Sequence, residues 1–149
     1  MHSLCAVGDK TLVVTGSFLS YSRDKAELYS VERDEWSELP DLSEPRYQHS
    51  SCSFEQRYVF LFGGCTTGTD TSDLLERLDL LHKWQPWSTL PLALPSYPDT
   101  KAFKSPAVTE ISGTEIAIFR GSTSSVLILN VNEMTLHERK AMKIYDFSF

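Results

Sequence analysis

Residues with chemical potential are sparse in this chain. His2-x-x-Cys5 recurs as His49-x-x-Cys52, and His and Cys are the usual ligands of zinc. On a strand, residues three apart point to opposite faces, so one strand cannot offer both side chains to one ion. A buried small thiol and a hydrogen-bonded histidine at a repeated packing position are expected instead, and no metal is assigned. Gly63-Gly64-Cys65-Thr66-Thr67-Gly68 follows an apolar run and has the outline of a phosphate loop. It lacks the Gly-Lys-Ser/Thr ending that supplies charge and the magnesium ligand, so a connecting loop is expected. Asp70, Asp73 and Glu76 lack EF-hand spacing and read as an acidic, solvated loop. Glu32-Arg-Asp-Glu35 and His137-Glu-Arg-Lys140 read as mixed-charge, solvated turns. No Gly-x-Ser-x-Gly or comparable nucleophile motif is present. No catalytic residue and no cofactor is therefore assigned.

What positions these residues is a repeat. Residues 2–17, HSLCAVGDKTLVVTGS, align without a gap on residues 49–64, HSSCSFEQRYVFLFGG, at an offset of 47. His2/His49, Ser3/Ser50, Cys5/Cys52 and Gly16/Gly63 are identical, and the apolar positions coincide. Trp36-Ser-Glu-Leu-Pro40 recurs as Trp87-Ser-Thr-Leu-Pro91 at an offset of 51. A third copy, residues 107–121, aligns on residues 50–64 at an offset of 57, the difference absorbed by an insertion over Pro91–Pro98. Units of about 50 residues are the period of a blade or solenoid unit. Tyr58–Phe62 and Glu115–Phe119 are short apolar runs ended by or near glycine, as buried strands are, and Val126–Leu129 is a further strand candidate. Gly8-Asp9 and Ser112-Gly113 are two-residue turn signals. The stretch Asp73–Leu81 has leucines at helical spacing behind a capping-box start, yet its place in the repeat, opposite Glu27-Leu-Tyr29, predicts a strand.

The middle unit carries Pro45-Arg46, His49-Ser50, Tyr58–Phe62, Gly63-Gly64, Leu78-Asp79, a tryptophan at 84 or 87, and Leu90-Pro91. This order resembles the kelch repeat, and the resemblance implies an all-β fold, a partial kelch-type β-propeller of about three four-stranded blades. The units run over approximately 1–44, 45–100 and 101–149. The first has Gly16-Ser17 for the di-glycine; the third has lost the arginine, the tryptophan and one glycine, Arg120 standing beside Gly121. Gly16, Gly63, Gly64, Gly121, Tyr29, Trp36, Trp84 and Trp87 are the structural motif residues on this reading. The glycines permit positive φ and close blade approach, and the aromatics fill the gap between sheets. Which of Trp84 and Trp87 takes the motif position stays open.

In kelch propellers, loops at one end of the ring commonly contact partners. Carried over by position, the resemblance implies partner-binding roles for Phe18, Cys65 and Thr66 after the glycines and for Arg46 and Tyr47 at the blade opening; the competing role for Arg46 is a structural ion pair or hydrogen bonds between blades. The function expected is a non-catalytic protein–protein interaction module, as a substrate-recognition element or cytoskeletal scaffold. The alternative is part of a propeller enzyme, such as a copper radical oxidase or a sugar-acid isomerase. A copper site requires clustered His and Tyr ligands, and the chain has four histidines spread over 149 residues.

Composition agrees with a globular chain that binds protein. Hydrophobic residues make up 41% and charged residues 23%, which excludes a wholly disordered polypeptide. The formal charge of −6 disfavours nucleic acid and anionic membrane surfaces as partners. Apolar runs fall far short of a membrane-spanning helix, the N-terminus has no secretory pattern, and the three cysteines lack Cys-x-x-Cys spacing. Free thiols in the cytoplasm are expected. Three blades are too few to close a ring of four to eight, so either self-association to complete a propeller or origin within a longer chain is expected.

Overall fold

The computed structural model describes residues 1–66, 70–93, 104–119 and 126–139. Among these, twelve strands form three four-stranded antiparallel sheets, and the only helical pieces are two single 3₁₀ turns, Ser20–Ser22 and Leu80–His82. Blade 1 comprises β1 (Ser3–Val7), β2 (Thr11–Thr15), β3 (Ala26–Ser30) and β4 (Glu35–Leu39). Blade 2 comprises β5 (Ser50–Phe54), β6 (Tyr58–Phe62), β7 (Leu74–Asp79) and β8 (Ser88–Ala93). Blade 3 comprises β9 (Ala107–Ser112), β10 (Glu115–Phe119), β11 (Val126–Asn130) and β12 (Thr135–Arg139). Each sheet is an up-and-down meander with strands paired in chain order, and the leading strands β1, β5 and β9 stand side by side. This is the all-β, partial-propeller architecture expected from the repeat.

The leucine-rich stretch at 74–79 is a strand. Its register pairs Leu61 with Glu76 and Val59 with Leu78. Helical tendency survives only just beyond it, where Asp79 accepts a hydrogen bond from the Leu81 N–H at 3.0 Å to start the 3₁₀ turn. The first hairpin differs from its reading: Val7 pairs with Thr11, so Gly8, Asp9 and Lys10 form a three-residue loop rather than a two-residue turn. Blade 2 makes the same loop with Glu55, Gln56 and Arg57, and both Glu55 and Gln56 take positive φ.

Two apolar layers hold the blades together. Cys5, Val7, Val13, Ala26, Leu28 and Leu39 of blade 1 pack on Val59, Leu61, Leu78 and Trp87 of blade 2. Cys52, Phe54, Phe60, Phe62, Leu75 and Leu90 of blade 2 pack on Ile116, Ile118, Leu127 and Leu129 of blade 3. The unbroken run Tyr58–Phe62 follows from this sandwich. Alternate residues of β6 face opposite neighbours, so both sets must be apolar. Polar seams reinforce the layers: Ser3 Oγ meets Ser51 Oγ at 2.6 Å, and Ser50 Oγ donates to the Pro106 carbonyl.

The three tryptophans part company here. Trp87 is 5% exposed, and its Nε1–H donates to the Pro40 carbonyl at 2.9 Å, so it fills the space between blades 1 and 2. Trp84 is 72% exposed beside Lys83 and fills no gap. Trp36 is 56% exposed and packs on Tyr29 of its own sheet at a ring separation of 4.9 Å. The reason is its face: it lies on the side of blade 1 turned away from blade 2. Gly121 lies outside the described residues.

Candidate functional site

The segment that opens blade 2, residues 45–49, runs beneath the ends of β2 and β6 and organises two layers of residues. Glycine makes the approach feasible. Gly16 has φ +60°, and a Cβ there would strike the Arg46 carbonyl oxygen and stand 2.5 Å from His49 Cε1. Gly64 has φ +98°, and a Cβ there would lie 2.7 Å from His49 Cβ and 2.9 Å from the Tyr47 carbonyl oxygen. A positive φ and a missing side chain are both required.

The lower layer is centred on a buried ion pair. Arg46 and Glu76 are each fully buried and joined by Arg46 Nη2 to Glu76 Oε2 at 2.7 Å. Arg46 Nη1 donates to the carbonyls of Gly63 and Leu74, both at 3.2 Å, and Nη2 also reaches Glu44 Oε2 at 3.3 Å. Glu76 Oε1 accepts from the Ser43 N–H at 2.9 Å, and Ser72 Oγ donates to Glu44. Burial works against the arginine's charge while Glu76 and Glu44 support it. Every arm of this guanidinium is used inside the protein, so Arg46 joins the linker, β6 and β7. This is the geometry of the competing role expected for it, an ion pair and hydrogen bonds within the structure. Glu76 likewise is no solvated loop acid, although Asp70 and Asp73 are exposed. Its buried position was missed because an acid in a leucine run reads as polar surface. The signal was the strand period, which places Glu76 on the same face as Leu78.

His49 lies beside this pair. Its Nε2 is 2.7 Å from Thr15 Oγ1, and its Nδ1 has no hydrogen-bond partner. Protonation at Nε2 leaves only a lone pair unsatisfied, the cheaper of the two tautomers. Burial, then the Arg46 charge, pushes the His49 pKa down to about 3. Burial also pushes the Cys5 thiol up to about 11 and Cys52 up to about 12, which leaves neither a useful thiolate near neutrality. Cys65 is buried as well, held in a small ladder in which it bridges Tyr47 and Thr71. None of the described His, Cys, Asp and Glu residues form a group of three able to hold a metal.

The upper layer reaches solvent. Phe18 is 54% exposed and stands edge-on to the Tyr47 ring with centroids 5.4 Å apart. Tyr47 itself is buried, with the Arg23 guanidinium 4.9 Å above its ring. Arg23 Nη1 donates to the Thr66 carbonyl at 3.2 Å, and its Nε and Nη2 donate to the Phe18 carbonyl. Arg23 thus fastens the β2–β3 loop of blade 1 to the β6–β7 loop of blade 2. Of the five expected contact residues, Phe18 is exposed and Thr66 partly so, Tyr47 lies beneath Phe18 as its support, and Arg46 and Cys65 lie inside. Arg23 had no local sequence signal, since its role comes from two loops meeting across a blade seam.

Against known proteins, no family model matches the chain. The chain is 30% identical over 89 residues to a RING finger domain and kelch repeat-containing protein of Dictyostelium discoideum, covering 57% of this chain and 9% of that one. It is 39% identical over 64 residues to Kelch-like protein 28 of Mus musculus, covering 43% of this chain and 10% of that one. The chain spans about a tenth of the length of these curated relatives. With three four-stranded antiparallel sheets in meander order, which fit a kelch-type propeller, these matches bear out the kelch resemblance. Among the described residues no helix is long and apolar enough to cross a membrane.

Proposed function

We propose that these kelch-type blades serve as a non-catalytic protein-interaction module that docks a partner protein on the loop end of the blade 1–blade 2 seam. The observation that carries this is Phe18: a large apolar side chain held in the open on a buried Tyr47 and fixed by Arg23. Rigid exposed aromatics over a packed base are favoured interface anchors, because little conformational freedom is lost on binding. The Cys5 and Cys52 thiols are raised well above neutrality and the buried histidine is held neutral, an arrangement suited to packing rather than turnover. One relative's name joins kelch repeats to a RING finger domain, which favours the substrate-recognition form of the module over the cytoskeletal one. A cytoplasmic location fits the three free cysteines.

The test places a photo-crosslinking phenylalanine analogue at position 18 and, as a control, at Lys10 on the opposite end of the same blade. A protein adduct formed from position 18 and absent from position 10 is the expected result, and its loss in Arg23→Ala assigns it to the fastened loop. Adducts of equal yield from both positions would overturn the site. Stoichiometric copper in the purified protein would overturn the non-catalytic reading.

A further inference from the structure

We propose that the end of blade 2 remote from Phe18 is a second docking site, built for a segment of a partner protein that carries a carboxylate beside an apolar side chain. Phe18 lies in the β2–β3 connection, and the β5–β6 and β7–β8 connections stand at the opposite end of the strands. Two departures from the repeat coincide there. Phe60 pairs with Arg77, where Val13 pairs with Leu28 in blade 1 and Ala117 with Ile128 in blade 3. Leu28 and Ile128 are buried apolar residues, so the blade fold needs no charge at this position. The connection that follows is also longer. Residues 80–87, eight positions, join β7 to β8, whereas residues 31–34 and 131–134, four positions each, join the equivalent strands of blades 1 and 3. Blade 2 has a blade packed on each side, and every connection at this end is among the described residues.

Arg77 is partly buried and held in place by a ring. Its guanidinium lies 5.0 Å from the centroid of Tyr58, over which Arg57 also stands at 4.7 Å. Among the described residues no carboxylate or other hydrogen-bond acceptor answers Arg77. Asp79, two residues on and on the same face, is engaged elsewhere. Its Oδ1 accepts from Arg57 Nε at 2.9 Å and from the Leu81 N–H at 3.0 Å. Its Oδ2 accepts from Arg57 Nη2 at 2.6 Å and lies 3.0 Å from His82 Nδ1. The Arg77 fork, shaped for two-pronged binding of a carboxylate, is left without one. It lines a polar recess of about 150 Å³ together with His82, Gln85 and Ser88.

The longer connection, which also walls this recess, displays apolar side chains. Leu81 is 71% exposed, and Trp84 is equally open, with Lys83 Nζ 5.0 Å from its ring centroid. The connection itself is ordered: the Leu80 N–H donates to the Arg57 carbonyl at 3.0 Å and the Gln85 N–H to the His82 carbonyl at 2.9 Å. Exposed apolar side chains on an ordered loop lose little conformational freedom on binding. Charge selects the occupant. The chain carries −6 overall, yet this end gathers Arg57, Arg77 and Lys83 against Asp79 and Glu55. A carboxylate completes Arg77 while an apolar neighbour covers Trp84, and a basic segment is repelled. The site shares no residue with the Phe18 surface, so the two stand or fall separately.

Panning of short random peptides, displayed on phage, against the purified chain tests this. The expected sequences place Asp or Glu beside an apolar side chain. A synthetic peptide of the enriched sequence should lose about tenfold or more in affinity with Arg77→Leu, with Trp84→Ala, or with an amide in place of its own acid. Phe18→Ala should leave its affinity unchanged. Arg77→Leu installs the residue type that blade 1 carries, and Trp84→Ala changes an exposed side chain, so both should keep the circular dichroism spectrum. Enrichment no greater than on the double variant of Arg77→Leu and Trp84→Ala overturns the proposal, as does a peptide indifferent to both changes. A peptide lost with Phe18→Ala alone overturns this site and leaves the Phe18 surface standing. Oligothymidylate bound through Trp84, with no peptide enriched, overturns the assignment to a protein partner.

Discussion

Acid should destabilise this protein through His49 before it reaches the carboxylates. In the folded chain the ring is buried, accepts no second hydrogen bond at Nδ1 and lies beside the Arg46 charge, which together push its pKa down to about 3. In the unfolded chain it returns to the ordinary value of 6.5. Between these values the unfolded state binds the extra proton. Stability is therefore complete above about pH 6.5 and falls as pH drops, by up to about 1.4 kcal/mol per pH unit. Taking the two values at face, the loss between about pH 7.5 and about pH 5 is about 2 kcal/mol from this one ring. Asp79 adds nothing in that window. The Arg57 hydrogen bond, then contacts from His82 and the Leu81 N–H, hold it well below the usual carboxylate range, so its contribution is lost only at lower pH.

The assay is urea unfolding at both pH values for the wild type and for His49→Gln. The amide side chain keeps a polar group near Thr15 but cannot titrate. The wild type should lose about 2 kcal/mol more than the variant over the interval. Parallel losses would refute the argument, as would an imidazole proton resonance of His49 that titrates above about pH 5. Either result would mean that the folded protein accommodates a cation beside Arg46.

Two further perturbations probe the same seam. Arg46→Leu and Glu76→Leu should each cost about 3–5 kcal/mol, because each strands a buried charge; the double variant should cost less than their sum by about 2 kcal/mol or more in an unfolding cycle. Strict additivity would show that the pair is not coupled. Gly64→Ala should cost about 2–4 kcal/mol from its φ of +98° and the crowding against His49. Gly113→Ala, with nothing within 4 Å of the added methyl, should stay within about 0.5 kcal/mol of the wild type. Equal melting temperatures for the two alanine variants would contradict the close-approach account of the glycine.

Much of the fold was legible because the repeat converts local ambiguity into a positional statement. Asp73–Leu81 has helical spacing in isolation, yet its alignment with Glu27-Leu-Tyr29 makes it a strand, and β7 forms there. Hydrogen bonding between neighbouring strands decides that outcome, and periodicity within one segment cannot see it. Burial was harder to read. Trp36 and Trp87 sit in nearly identical five-residue strings, but one is exposed and the other buried, since burial depends on whether a blade lies against that face. The surface proposed for docking was legible only in part: Phe18 is named by its place after the glycine, whereas Arg23, which holds it, acts through a loop more than forty residues away.

The position of Glu76 shows how one repeat is adjusted three ways. The residue across the sheet from Leu61 is Glu76, the residue across from Val14 is Glu27, and the residue across from Ile118 is Leu127. In blade 2 the acid is buried and answered by Arg46, with a backbone N–H completing its shell. In blade 3 the arginine is missing from the sequence, and the acid is missing too. Leu127 packs there at 1% exposure among Ile116, Ile118 and Leu129. An acid retained at 127 without its arginine would be a buried, unpaired charge, the costliest of the three states. In blade 1 the acid is Glu27, and it is exposed to solvent. An acid at this position is therefore tolerable when it is either paired or solvated.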